Sequence, residues 1–189
     1  EERNLNGKKG MYLMKGTHIV TDDYVIIKHP IKIIGAGRDQ TIVKGGGFKI
    51  QGKNEEGKNV VLKDMTISEA SEHGVDGTDG LSFLGDSMTI TQCVGSGVWA
   101  KNTKGRLSNC QVTNCGKCGI RCAGNALIEM EGSQTKVQGN NAGGWASKKG
   151  LLTFDTSSTI HLLFPLTKES VSTNNCGGGN YNWNCGGQG

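Results

Sequence analysis

Glu72-His73-Gly74, followed by Asp76 and Asp79, sets an imidazole among three carboxylates within eight residues. If the carboxylates converged with the imidazole, they would form the paired acids of glycosidic cleavage, one protonating the leaving oxygen and the other attacking or activating water. The same stretch, Asp76-Gly77-Thr78-Asp79-Gly80, spaces its oxygens as a calcium loop does. It lacks the rest of an EF-hand loop and the Gly-rich nonapeptide repeat, so it reads as a Gly/Asp turn. Gly35-Ala36-Gly37 follows a strand-like run, but Gln40 stands where a dinucleotide turn needs its third glycine, and Ile42-Val43 continue as strand. Cys115-Gly116-Lys117-Cys118 is a C-x-x-C with no second pair to complete a zinc site. No metal and no cofactor are expected.

What positions these residues is a repeat. Three stretches starting at Met65, Met88 and Cys110 align without gaps, at offsets of 88 − 65 = 23 and 110 − 88 = 22. Ile67, Ile90 and Val112 share one position, and Val75, Val98 and Ile120 another. Polar and variable residues alternate with them, the period-two pattern of a strand with one buried face. Both sets are therefore expected as buried ladders. Gly74, Gly97 and Gly119 recur before the last strand, where a residue tolerating positive φ would suit a turn. His73 aligns with Ser96 and Cys118, so His73, Asp76 and Asp79 are read as solvated turn residues, and no catalytic residue is assigned.

The repeat also creates columns. Asp76, Trp99 and Arg121 align on the outward side, the composition of a ligand or partner surface. Cys93 and Cys115 align one coil apart, near 4.8 Å, which suits either a disulfide or a pair of stacked thiols. Cys176 and Cys185 bracket a Gly-rich tail and are candidates for closing it into a loop.

A repeat of this length with short strands and no helical stretch is one turn of a parallel β-helix, in which each coil pairs with the next. Upstream strands are expected at Tyr24–Lys28, Ile31–Ile34, Thr41–Lys44, Phe48–Gln51 and Asn59–Lys63, with Lys53–Lys58 a charged loop. Downstream strands are expected at Ala126–Glu131, Thr135–Val137, Gly150–Phe154 and Thr159–Phe164. The organisation expected is an N-terminal lead-in at 1–10, a β-helix domain at 11–173 with roughly seven coils of about 22 residues, and a loosely ordered Gly/Asn-rich tail at 174–189. The ends of such a stack carry unpaired strand edges. Strict alternation fails through Leu162, Leu163 and Phe164, so these are expected to meet a cover, either the tail, with Tyr181 and Trp183, or another protein.

Composition narrows the rest. Of 189 residues, 31 are glycine and only 2 proline, with 5% aromatics and no Gly-X-Y period, which excludes collagen and a broad aromatic core. The net charge of +4 is dispersed, so nucleic acid is not an expected partner, and no apolar run is long enough for a membrane span. No charged-then-apolar leader opens the chain, so a targeting peptide is expected to be removed or absent.

The segments Met11-Tyr12-Leu13-Met14-Lys15-Gly16-Thr17-His18 and Pro30-Ile31-Lys32-Ile33-Ile34-Gly35-Ala36-Gly37-Arg38-Asp39-Gln40-Thr41-Ile42-Val43 resemble opening coils of right-handed parallel β-helix proteins. These form the pectin-lyase-like superfamily, and the resemblance covers residues 10–171. It implies an all-β, right-handed solenoid. The superfamily includes polysaccharide lyases, pectin esterases and non-catalytic repeat domains, and the chain is similar to the non-catalytic members. Lyase-type members set basic residues beside calcium-binding acids, whereas Arg121 stands alone on its strand and Asp79 and Asp86 have no partner set. The expected role is a rigid protein-interaction or assembly element. The alternatives are a carbohydrate-binding module and, third, a polysaccharide lyase or hydrolase. The expected partner is another protein or larger assembly, or else a glycan.

Overall fold

The computed structural model describes residues 2–5, 8–54, 56–141, 149–177, 179 and 182–185. Short strands of alternating burial follow one another round a coil and then repeat, building three sheets. The first contains β1 (Glu2–Leu5), β2 (Lys8–Tyr12), β5 (Lys32–Ile34), β8 (Val60–Lys63), β11 (Phe83–Asp86), β14 (Lys104–Ser108), β17 (Leu127–Glu131) and β20 (Thr159–Leu162). The second contains β3 (Gly16–Ile19), β6 (Thr41–Lys44), β9 (Thr66–Ser68), β12 (Thr89–Thr91), β15 (Gln111–Thr113), β18 (Lys136–Gln138) and β21 (Ser172–Thr173). The third contains β4 (Tyr24–Ile27), β7 (Gly47–Gly52), β10 (Val75–Gly80), β13 (Val98–Lys101), β16 (Ile120–Ala123), β19 (Leu151–Thr153) and β22 (Trp183–Cys185). Every neighbouring pair is parallel except β1 with β2, so each sheet stacks seven parallel strands.

The register is the one the repeat implies. Val75 pairs with Val98 and Val98 with Ile120, while Ile67 pairs with Ile90 and Ile90 with Val112. All six are buried. Several steps are longer: Ile33 pairs with Leu62, 62 − 33 = 29 residues on, Ile128 with Ile160, 160 − 128 = 32, Val137 with Ser172, 172 − 137 = 35, and Leu151 with Trp183, 183 − 151 = 32. The first accommodates the loop at 53–58.

The corners correct one sequence expectation. Left-handed backbone falls on Asp64, Ser87 and Asn109 after the first sheet and on Glu69, Gln92 and Asn114 after the second, each with φ between 51° and 57°. Gly74, Gly97 and Gly119 do not adopt positive φ. They are glycine because the inside of the corner is full. A Cβ on Gly97 would lie 2.2 Å from Val112 Cγ1, and one on Gly74 would lie 2.4 Å from Ile90 Cγ2.

Just before the tail β21 pairs with β18, and within the tail β22 pairs with β19, so this part of it belongs to the solenoid and is not loosely ordered. Between them Asn175 takes the ladder position of Cys93, Cys115 and Asn140, two residues past the strand end. The buried amides interlock. Asn140 Oδ1 accepts the Cys115 N–H at 3.0 Å, and Asn175 Oδ1 accepts both the Asn140 N–H at 3.0 Å and Asn140 Nδ2–H at 2.9 Å. The single α-helix among the described residues, α1 (Lys168–Val171), is capped by Thr167 and buries Val171 against the core. Tyr181 lies outside the described residues.

Candidate functional site

The outward face of the third sheet carries the column Lys49, Asp76, Trp99, Arg121, each paired with the next through the parallel register. Asp76, Trp99 and Arg121 share this face as the repeat implies, but their environments differ. Asp76 is only 6% exposed, which corrects its reading as an open surface acid. Its cover comes from Tyr24, two rungs away, and from Lys49, whose Nζ lies 3.9 Å from Oδ2. Burial raises the Asp76 pKa, opposed by Lys49 and the Tyr24 hydroxyl, while Oδ1 has no hydrogen-bond partner. Tyr24 is itself pushed up to about 12, chiefly by burial.

His73 is not a solvated turn residue either. Its Nδ1 accepts the Ser96 N–H at 2.8 Å, which leaves the ring proton on Nε2. Burial, and then the charges of Lys117 and Arg121, depress its pKa to about 4. Asp76 and Asp79 lie in β10, and Asp79 is exposed and held by Asn102 Nδ2 at 2.9 Å. One carboxylate is thus buried and the other points into solvent, separated by their places on one strand. The imidazole is neutral at pH 7 and its pKa is far from the value a general base needs there.

Below His73 the column becomes a stack. The His73 and Trp99 rings are 6.3 Å apart at 37°. The Arg121 guanidinium carbon lies 4.1 Å from the Trp99 ring centroid and 4.2 Å from that of Phe154, so the cation sits between two aromatic rings. Its Nε is buried without a hydrogen-bond partner. Phe154, just after β19, is expected from the sequence as the end of the strand Gly150–Phe154 but not as a site residue. Its signal was that it sits one rung on from Arg121, just past the strand.

Cys93 and Cys115 are buried free thiols, so of the two readings open for them they are stacked thiols and not a disulfide. The hydrogen bond between them, then burial, holds the Cys115 thiol well above the ordinary range. Cys176 is a free thiol, and the side chain of Cys185 lies outside the described residues. No cluster of three metal-ligating side chains forms among the described residues.

The two ends differ. At the C-terminal end the burial of β20 alternates, correcting the expectation that both faces are covered. Leu162 packs on the core together with Leu166 and Trp183, Leu163 is half-buried, and Phe164 is 97% exposed. At the N-terminal end β1 covers the first sheet, but β3 and β4 are the outermost strands of theirs. They frame an apolar mouth of about 430 Å³ lined by Leu13, Val20, Val25, Ile27, Ile31 and Phe48, among others. Gly16 and Val20 donate to Gln40 and Lys44 of the next coil, so alternation turns the N–H groups of Thr17 and Ile19 to the open side. Ile19 and Ile26 are 65% and 57% exposed beside it.

The family model described as "right handed beta helix region" matches residues 5–162. No curated protein and no solved structure matches the chain.

Proposed function

The chain belongs to the right-handed β-helix family, and from that premise we propose that it is a rigid, non-catalytic module that binds another protein through the open end of its first coil. The observation that carries this reading is the mouth framed by β3 and β4: among the described residues, strand edges with no further partner surround apolar side chains, of which Val25 and Ile26 are exposed. A free edge is a template for another strand, and proteins that must stay single blunt it with charge, proline or a cover. Here Lys28, His29 and Pro30 stand to one side of the mouth, while Ile19 and Ile26 are exposed on the two edge strands themselves. A strand laid on β3 would accept the free Thr17 and Ile19 N–H groups and help to bury the mouth, as one coil buries the next. The exposed Phe164 gives the opposite end a second contact of the same kind.

Glycan binding at Trp99 has less support. Sugars stack on an open ring face, and Arg121 occupies one face of Trp99 while His73 leans over its surroundings. An enzymatic role lacks converging carboxylates.

Photo-cross-linking in the source cells tests the reading. A photoreactive residue replacing Ile26 is expected to yield adducts with a second polypeptide, and one replacing the exposed Lys104 in β14 is expected to yield few. Equal yields at the two positions would refute it.

A further inference from the structure

Arg121 differs from the other arginines whose side chains are described. Arg106 forms a fork on Glu131, and Arg38 donates to the Asn109 carbonyl at 2.7 Å. Arg121 has no oxygen partner among the described residues. Among the described residues what acts on its charge is burial and the Cys118 thiol, and no carboxylate. Rings from the rungs before and after it flank the guanidinium carbon, at 4.1 Å and 4.2 Å. A group clamped through both faces can engage a ligand only along its edge, where its N–H donors form the planar fork that matches a carboxylate.

We propose that Arg121, clamped between Trp99 and Phe154, is a pre-formed docking point for a carboxylate side chain on an acidic segment of a partner protein. The rotamer entropy that an arginine normally loses on binding has already been lost to the clamp, so the fork meets its ligand pre-organised. Lys117 and Lys49 stand near enough to act on His73 together with Arg121, and they give the face a positive field. The nearest acid on the column, Asp76, is two rungs away, buried and beside Lys49. A glycan carboxylate shares the charge but not the fit: a sugar ring needs an open aromatic face, and the inner faces of both rings are filled by Arg121. An extended acidic peptide needs only the edge.

The site lies on β16, four rungs from β4, or ~19 Å at strand spacing. It is therefore separable from the mouth, and the Ile26 cross-link reports on the mouth independently. The test is fluorescence anisotropy of a labelled oligoglutamate peptide at low salt with the purified chain. Arg121→Gln is expected to weaken binding about tenfold or more, since a charge-assisted bidentate pair is lost. Arg121→Lys, which keeps the charge and loses the fork, is expected to weaken it several-fold, and Phe154→Ala, which opens the clamp around an intact charge, is expected to do the same. Lys104→Gln is expected to leave it unchanged, and oligoglutamine is expected not to bind. The proposal is overturned if Arg121→Gln binds as wild type or if Lys104→Gln weakens binding equally. It is also overturned if oligogalacturonate, and not oligoglutamate, shows the Arg121 dependence.

Discussion

Ile90 and Gly74 offer a test of how the corners pack. Ile90 is 1% exposed, between Ile67 and Val112 in neighbouring coils. Ile90→Ala removes about three carbons, worth ~2.4 kcal/mol in transfer, and the cavity raises the cost to ~3–4 kcal/mol. Gly74→Ala fails for the opposite reason. Its Cβ would sit 2.4 Å from Ile90 Cγ2, 2.9 Å from the Gly97 carbonyl and 3.0 Å from Cys93 Sγ, and overpacking of this kind costs ~1–3 kcal/mol. The two lesions share one space. With Ile90 truncated, the worst contact of the new methyl disappears and the methyl fills part of the cavity. The double variant is therefore expected to be more stable than the sum of the single losses by ~1 kcal/mol or more, partial because the carbonyl and thiol contacts remain. Urea unfolding of the four proteins measures this. Additivity within ~0.5 kcal/mol would refute the steric account of these glycines, and an Ile90→Ala midpoint equal to wild type would refute the ladder itself.

Three further outcomes are expected. The folded His73 pKa, about 4, lies below the unfolded value of 6.5, so the unfolded chain binds the extra proton between them; stability is complete above that window and falls by up to ~3 kcal/mol as pH drops through it. Urea midpoints across that range should show the fall in wild type and much less of it in His73→Gln. Deleting residues 174–189 removes β22 and the Asn175 bonds to Asn140, so the melting temperature should drop and sedimentation should show association through the uncovered last coil; an unchanged melt and a monomer would contradict the cap. Cys93 and Cys115 should react with a thiol reagent only on unfolding, and prompt labelling in the native protein would contradict their burial.

The ladders were legible because stacked coils repeat similar side chains and alternation fixes their faces. For the same reason Thr41–Lys44 was placed to the residue, and Phe48–Gln51 fell one residue short at each end. The corners were less legible. Asp64, Ser87 and Asn109 share a left-handed backbone but not a side chain, whereas the recurring glycines drew attention for a property they do not use. The site was half legible. Strand pairing put Asp76, Trp99 and Arg121 on one face, but burial depends on what leans over from other rungs. Tyr24 covers Asp76 from two rungs away, and Phe154 closes the clamp from a turn outside any strand. The tail's ordered part was recoverable: Asn140 and Asn175 each follow a strand end by two residues, as Cys115 does. Its glycine content hid that echo.

Amide hydrogen exchange at the outermost strands bears most directly on the role assigned to this chain. In the dilute, isolated protein, the Thr17 and Ile19 amides should exchange quickly, while those of β12 and β13 in the middle of the stack are protected. In the assembled state captured through position 26, Thr17 and Ile19 should slow markedly, because an added strand takes up their N–H groups. If they exchange as quickly in the assembly as in the isolated chain, no strand docks on the first coil and the proposed mode of binding is wrong.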